Sequence, residues 1–190
     1  FDPEVFTTMD YRVKYQNDTT FTYVLPITKN KALVEFTFFT PYLVEDEIYD
    51  LYLKKYIDEV LQITNYTISE SEKGIIPMTN FPFHKYNTSH CTKIGTAGGW
   101  VKGSTGYSFK HTEKKIAKII RNLKNDELPS KSIVNKKFRF YDSIFLGVLH
   151  DKNKKGEWIF NQFYTKNKTT TMFRFLDEES HFMEDLAIMK

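Results

Sequence analysis

Cysteine is nearly absent from this 190-residue sequence, which contains only Cys91. A single cysteine forms no internal disulfide and supplies too few ligands for a thiolate zinc site. The five histidines show no metal-ligand spacing such as H-x-x-x-H and belong to no recognisable Ser/His/Asp set, so the sequence predicts no metal. No apolar run approaches the roughly 18 residues that a membrane span needs. A reducing, cytoplasmic setting is therefore expected.

Arginine is also scarce, with 4 Arg against 23 Lys and a net charge of only +3. The lysines are scattered among 24 acidic residues, which is typical of a solvated surface. Nucleic-acid readers usually concentrate arginine along a basic stripe, so no nucleic-acid partner is expected. Hydrophobic residues make up 41% of the chain and aromatic residues 16%, which is enough for one large or two small domains.

The first forty residues alternate between apolar and polar side chains. This pattern predicts three strands, over residues 9–15, 20–27 and 32–39. The links between them are short, which favours an antiparallel meander. Apolar residues at three- and four-residue spacing then predict a helix over residues 45–61, whose acidic first turn suits the helix dipole.

The rest of the chain is predicted to contain short strands and several helices. Strands are expected over residues 66–76 and 91–94, and a second helix runs from about Thr105 to Leu123 with an apolar stripe of isoleucines and leucine. Three short amphipathic pieces follow, over residues 138–149, 158–164 and 169–176. Strands first and helices later predict an α+β fold. The chain begins at Phe1 without an initiator Met, and we expect it to be a fragment of a longer protein.

Residues 95–106 hold five glycines between a predicted strand and a predicted helix. Glycines let a backbone approach a ligand closely, and a helix N-terminus attracts anions, so the segment suits a phosphate or the carbonyl edge of a flavin. The alternative is a tight strand-to-helix connection in which glycine is needed only for packing. The chain has no G-x-G-x-x-G fingerprint in the strand–turn–helix context that a dinucleotide site requires.

Glu35 is the second candidate, because it lies among apolar and aromatic neighbours on a predicted strand. Burial there would raise its pKa and make it a proton donor near neutral pH. The alternative is an ordinary Glu on the solvent face of the strand. Leu33 and Phe39 lie on the same face, which weakens that alternative without removing it.

Five groups of residues resemble the lycopene cyclase family in their order along the chain, and they are most like its bacterial flavoprotein branch. They are residues 1–3 with 9–12, residues 21–26, residues 32–37, residues 74–78 and residues 95–109. The resemblance covers nearly the whole chain and is looser after about Ser130. It implies an FAD-dependent lycopene β-cyclase whose Rossmann half, with its G-x-G-x-x-G motif, is not in this sequence.

The resemblance also implies a division of labour along the chain. Residues 1–90 would form a substrate-binding antiparallel sheet with a helix, residues 91–125 would be the flavin-contacting loop and helix of a split FAD-binding domain, and residues 126–190 would be a helical tail. The implied FAD contacts are Gly95, Thr96, Ala97, Gly98, Gly99, Ser104, Thr105, Gly106 and Tyr107. Related flavoproteins usually have Asp at the position of Thr96.

The implied reaction is acid-catalysed ring closure on lycopene without net redox change. Glu35 occupies the acidic position of the family's strand motif, although the family often has two adjacent acids there. Met78 and Phe81 are expected on the wall of the substrate cavity. The aromatic loop at residues 81–86 and the amphipathic tail are candidates for peripheral contact with the inner membrane. The fragment by itself is expected to be inactive and to bind little flavin.

Two other functions remain open at this stage. A redox flavoenzyme on the same scaffold, such as a polyprenyl reductase or an aromatic hydroxylase, would share the glycine-rich segment but need no acid at Glu35. A non-enzymatic module that simply holds an apolar ligand would need neither the acid nor the cofactor.

Overall fold

A computed structural model describes residues 1–189 and shows a mixed α+β architecture. The described residues contain a three-stranded antiparallel sheet and six α-helices. The chain forms two compact units. The first unit contains Phe1–Glu72 and Leu149–Phe160, and the second contains Lys73–Val148 and the residues from Asn161 onward. The α+β class expected from the sequence is confirmed at this level.

The first unit is built on a meander of strands in the order β1-β2-β3. The strands are β1 at Thr7–Asp10, β2 at Thr20–Thr28 and β3 at Lys31–Phe38. Strands β2 and β3 pair closely, with Tyr23 opposite Glu35 and Leu25 opposite Leu33. The alternating pattern therefore located these two strands to within one residue at each end.

One face of this sheet packs on helix α1, Asp46–Lys55, and on the π-helical turn Tyr56–Val60 that continues it. The core on this side contains the fully buried Tyr56, with Val13 and Val24 beside it, and Val34 and Phe36 of β3 packed against it. The hydroxyl of Tyr56 donates to Asp10 Oδ2 at 2.7 Å, which ties the helical turn to the end of β1. Burial and this bond raise the pKa of Tyr56 to about 12.

Strand β1 is shorter than the predicted strand over residues 9–15. The backbone of Met9 has φ 51°, and the register with β2 shifts between Thr7 and Asp10. Asp10 then accepts hydrogen bonds from the backbone and side-chain nitrogens of Arg12, which turns the chain out of the sheet. The side chain of Asp10 thus ends the strand although the apolar alternation continues.

The second unit is helical. Its helices are α2 at Phe109–Lys124, α3 at Lys136–Asp151, α4 at Gly156–Thr165, α5 at Thr169–Leu176 and α6 at Phe182–Met189. The end of α3 from Leu149 and the first half of α4, up to Phe160, belong to the first unit. The three amphipathic pieces predicted in the tail are confirmed as α3, α4 and α5. The predicted strands over residues 66–76 and 91–94 are wrong, since both segments are irregular.

An aromatic cluster forms the core of the second unit, with Phe138, Tyr141, Met172, Phe175 and Ile188 buried together. Beside it, the fully buried carboxylate of Asp185 accepts hydrogen bonds from Lys137, Ser180 and Tyr141. Buried carboxylates are stable only when they are paired in this way. Within residues 1–189, no helix combines the length and the apolar character that a bilayer crossing requires.

Helix α2 buries its polar face. His111 and Asn122 are buried and Lys115 is half-buried, while Ile120 and Leu123 of the predicted apolar stripe are exposed. Ile116 and Ile119 of the same stripe are half-buried, so the stripe is only partly exposed. The helix itself is predicted correctly from its period, but its most deeply buried side chains, His111 and Asn122, are polar.

Candidate functional site

The glycine-rich segment opens with a 3₁₀ turn, Gly95–Gly98. Gly95 and Gly99 take left-handed conformations, with φ 57° and 66°, which a side chain would strain. Gly98 lies so close to the preceding chain that an added Cβ would fall 2.5 Å from the carbonyl oxygen of Lys93. The glycines at 98 and 99 are therefore required by close packing, and Gly95 is required by its backbone angle alone.

The second half of the segment is a closed turn centred on Lys102. The Lys102 amide donates to Tyr107 O at 2.8 Å, and its carbonyl accepts from Gly106 N at 2.8 Å and from Thr105 N at 3.3 Å. Gly106, with φ 74°, makes the reversal possible. Because this turn occupies residues 102–107, helix α2 starts at Phe109, later than the predicted start near Thr105.

The side chain of Lys102 runs from this turn into the interior and is 0% exposed. Its Nζ lies 2.7 Å from Asp142 Oδ1 of α3, and the contact is an ion pair. The same Asp142 oxygen accepts a hydrogen bond of 2.6 Å from Ser104 Oγ. The ammonium also lies 5.3 Å from the ring centre of Phe138 and 5.8 Å from that of Phe175.

A second carboxylate, that of Glu178, reaches the same place from the link after α5. Its Oε1 is 3.9 Å from Lys102 Nζ and 4.0 Å from His111 Nδ1. Burial raises the pKa of Glu178, an effect that the nearby Lys102 and Lys115 reduce. Burial likewise lowers the pKa of Lys115. We call Lys102, His111, Lys115, Asp142 and Glu178 the charged cluster.

His111 is held neutral within this cluster. Its Nε2 lies 2.9 Å from the carbonyl oxygen of Leu176, so that nitrogen carries the proton and donates. Burial, together with the positive charges of Lys102 and Lys115, lowers its pKa to about 4. The cluster thus contains one acid, Glu178, and two bases, His111 and Lys115, whose environments disfavour their charged forms, which is an arrangement often found at functional sites.

The charged cluster lines a cavity of about 60 Å³ together with part of the glycine-rich segment. Ligand pockets for small molecules usually measure about 300–1,000 Å³, so this cavity has room only for a few water molecules. Within residues 1–189, neither Trp100 Nε1 nor Lys102 Nζ has a hydrogen-bond acceptor, and both residues line the cavity. The interior therefore suits small acceptor groups.

The structure places only some of the sequence-predicted residues at this cavity. Those on its wall are Phe81, Thr96, Gly98 and Gly99. Gly95, Ala97, Thr105, Gly106, Tyr107 and Met78 do not line it, and Ser104 is buried with its hydroxyl on Asp142. Thr96 and Ala97 are exposed, and an added Cβ at Gly95 would meet no atom within 4 Å. The outer side of the segment is consequently open.

Glu35 lies in the first unit, on the face of the sheet that is turned away from α1. Leu33 and Thr37 of β3 share this face, as do Tyr23 and Leu25 of β2 through the strand register. The burial considered for Glu35 is wrong, because its carboxylate is exposed, as in the solvent-face alternative, and it accepts a 3.1 Å hydrogen bond from the Thr37 hydroxyl. Leu25, Ile27 and Leu33 are exposed around it, 41%, 59% and 44% respectively.

Sequence reasoning missed the charged cluster apart from the glycine-rich segment that carries Lys102. Glu178 stands in an acidic run, Asp177 to Glu179, at the end of an amphipathic tail, where an acid is usually solvated. Its contact with Lys102 joins residues 76 positions apart, since 178 minus 102 is 76. No local pattern in a single sequence signals such a pair.

Comparison with known proteins gives one match. The family model described as "Lycopene cyclase protein" matches residues 1–190, the full length of the chain. Neither the curated proteins nor the solved structures give a match.

Proposed function

The chain belongs to the lycopene cyclase family, and from this we propose that it closes β-ionone rings at the end groups of lycopene with reduced FAD as cofactor. Membership itself assigns the chain a role in carotenoid cyclisation and a carotenoid substrate such as lycopene. Ring type, cofactor and residue roles are the proposed part. The reaction is acid-catalysed and involves no net redox change.

The observation that best supports the proposal is the position of Glu35. It is a carboxyl group at one end of an exposed apolar surface formed by Leu25, Ile27 and Leu33. Such a surface on a sheet is suited to a hydrocarbon ligand. When a polyene covers this face, water is excluded from it, and apolar surroundings without water disfavour a charged group.

A protonated Glu35 then delivers that proton to the terminal double bond of the polyene. The resulting carbocation is attacked by an internal double bond of the same chain, which forms the ring. Loss of a proton from the ring carbon completes the reaction, so one proton enters and one leaves. The Thr37 hydroxyl, which contacts the Glu35 carboxyl, holds the acid in a fixed orientation on the strand. Phe81, with an exposed ring, and Met78 are proposed as further contacts for the substrate.

The fit to FAD differs between the two sides of the glycine-rich segment. The cavity of about 60 Å³ is far smaller than a flavin, so the charged cluster does not hold one. The outer side is open at Gly95, Thr96 and Ala97, where backbone amides and one hydroxyl are accessible. We assign the cofactor to this outer side, with the turn at residues 102–107 as its continuation. When bound, reduced FAD supplies negative charge that stabilises a carbocation in a water-poor site.

The exposed apolar stripe of α2 supports the idea of a split flavin domain. Phe109, Ile120 and Leu123 are exposed by 79%, 48% and 57%, which is unusual for one face of a helix in a stable protein. On our proposal, this stripe packs against the nucleotide-binding part of the domain. Phe81 and Tyr86, whose rings stack at 5.3 Å and are exposed, are proposed for peripheral contact with the inner membrane.

The test uses the complete protein, meaning this chain together with the nucleotide-binding part that the proposal expects. It is expressed in a bacterial host that accumulates lycopene, and the pigments are separated by chromatography. We expect β-carotene from the wild type. In Glu35→Gln, cyclisation should fall by at least about 100-fold, which is the usual contribution of a general acid, while FAD remains bound.

Glu70→Gln is the matched control, because Glu70 is an exposed acid in an irregular part of the same unit. It should leave pigment formation unchanged. Unaltered lycopene from a flavin-loaded wild type would refute the cyclase proposal. Polyenes with fewer double bonds would instead identify a redox flavoenzyme, and pigment bound without any conversion would identify a carrier.

A further inference from the structure

Glu178 occupies a backbone position where glycine is the usual residue. The link after α5 is a Schellman turn, in which Glu179 N donates to Arg174 O at 2.8 Å and Glu178 N donates to Phe175 O at 3.1 Å. Glu178 itself has φ 60°. A residue with a Cβ is strained in this left-handed conformation, so a glutamate here costs stability.

The side chain of Glu178 points to the charged cluster. The groups that face it are Lys102 from the glycine-rich segment, His111, Lys114 and Lys115 from α2, and Asp142 from α3. The neighbouring acids behave differently: Asp177 pairs with Lys110, and Glu179 pairs with Lys114 near the surface. Of the three acids in this run, Glu178 is the one that approaches Lys102.

Lys102 connects this carboxylate to the shape of the glycine-rich segment. Its backbone makes the three hydrogen bonds that close the turn at residues 102–107. Its side chain ends between Asp142 and Glu178, at 2.7 Å and 3.9 Å. The ammonium and the backbone groups that close the turn belong to the same residue. Contacts that hold the ammonium in place therefore restrict the movement of the turn.

We propose that Glu178 is a positioning residue for the glycine-rich segment: together with Asp142 it holds the Lys102 ammonium inside the unit and so keeps the turn at residues 102–107 closed. The inference deepens the proposed function and rests on it in one respect, namely that this turn continues the flavin-binding surface. The strained backbone of Glu178 is retained because glycine would supply no carboxylate.

Hydrogen exchange of the backbone amides of Lys102, Thr105 and Gly106 tests the positioning role directly. In the full-length protein, Glu178→Gln and Glu178→Gly should both raise exchange at these amides about tenfold. Glu178→Gly removes the backbone strain as well as the carboxylate, so its melting temperature should equal or exceed that of the wild type. A locally opened turn in an equally stable protein separates positioning from a general loss of structure.

Glu179→Gln is the matched control, since Glu179 is adjacent and pairs with Lys114 outside the turn. Its amide exchange at the turn should match that of the wild type. In the wild type, hydrogen exchange of the turn amides should also depend on pH through the protonation of Glu178, after correction for the pH dependence of the intrinsic amide exchange rate. That dependence should disappear in Glu178→Gln.

Titration of FAD into the same proteins distinguishes the two proposals. We expect the FAD dissociation constant to rise about tenfold in Glu178→Gly and to stay unchanged in Glu179→Gln. If the turn opens in the variants but no protein binds FAD, the positioning role stands and the flavin assignment fails. If exchange at the turn is the same in all four proteins, the positioning role is refuted whether or not FAD binds.

Discussion

Replacement of Lys102 by methionine should be among the most damaging single changes in the second unit. Methionine keeps a flexible, unbranched apolar side chain that is one atom shorter, but it removes the ammonium group that lies over the rings of Phe138 and Phe175. Asp142, which is nearly buried, then loses its counter-ion at 2.7 Å and retains the hydrogen bond from Ser104. Removing one partner of a buried ion pair typically costs about 3–5 kcal/mol, and we expect a loss in that range.

Urea unfolding followed by tryptophan fluorescence measures this loss. Trp158, which is exposed and lies in the first unit, should be changed to Phe so that the buried Trp100 reports on the second unit alone. The midpoint should fall with an unchanged denaturant slope. Adding Asp142→Asn should recover about 2 kcal/mol, because the uncompensated carboxylate is removed with it.

Lys110→Met provides the comparison, since Lys110 pairs with Asp177 at 2.6 Å but is half exposed. Exposed ion pairs contribute little, so the midpoint should hardly move. A loss below about 1 kcal/mol in Lys102→Met would refute the reasoning, because it would mean that the ammonium and Asp142 are both solvated.

Two further predictions concern the same unit. Gly98→Ala should lower the melting temperature far more than Gly95→Ala, because the new methyl group at 98 meets the Lys93 carbonyl oxygen whereas at 95 it meets open space and only the backbone angle is strained. For His111, the pKa of about 4 in the folded protein lies below the ordinary 6.5, so the unfolded chain binds more protons between these values. Stability should therefore fall as pH drops from 6.5 to 4, and the slope of melting temperature against pH should be smaller in His111→Gln.

The strands could be predicted from their period of two, but the period did not show which face is buried. In β3, Val34 and Phe36 pack on the α1 side, whereas in β2 the apolar Leu25 and Ile27 are exposed and Thr22 is buried. The helices of the second unit were found for the same reason, although the three- and four-residue spacing in α2 did not reveal which face is buried. A periodic pattern gives the element, and the surroundings decide the direction in which it faces.

The two segments that were wrongly predicted as strands have no partner strand among the described residues. Residues 66–76 pair with no described strand. Near Cys91, the Thr88 hydroxyl accepts hydrogen bonds from the amides of His90 and Cys91, and these local bonds replace a ladder. Local side-chain bonds of this kind compete with sheet formation and are not visible in an apolar pattern.

The candidate site was only partly accessible to sequence reasoning. Glycine content predicted the segment at residues 95–106, because glycine is the residue type that tolerates left-handed backbone angles and close contacts. The partners of Lys102 were not predictable, because Asp142 and Glu178 come from elements that are far away along the chain. Charge pairing between distant residues depends on how the elements pack together, and no local sequence pattern shows that packing.

Two acids with different surroundings suit two different tasks in a cyclase that acts on a hydrocarbon. A catalytic acid must regain a proton after each turnover, so it needs contact with water when the substrate is absent, and the exposed Glu35 has that contact. The hydrocarbon itself then excludes water from this face during the reaction. Glu178 is already desolvated by the protein and faces Lys102 in both conditions, which fits a constant structural pairing. In the proposed mechanism, Glu35 acts when the substrate covers it, whereas Glu178 is held in place by the fold at all times.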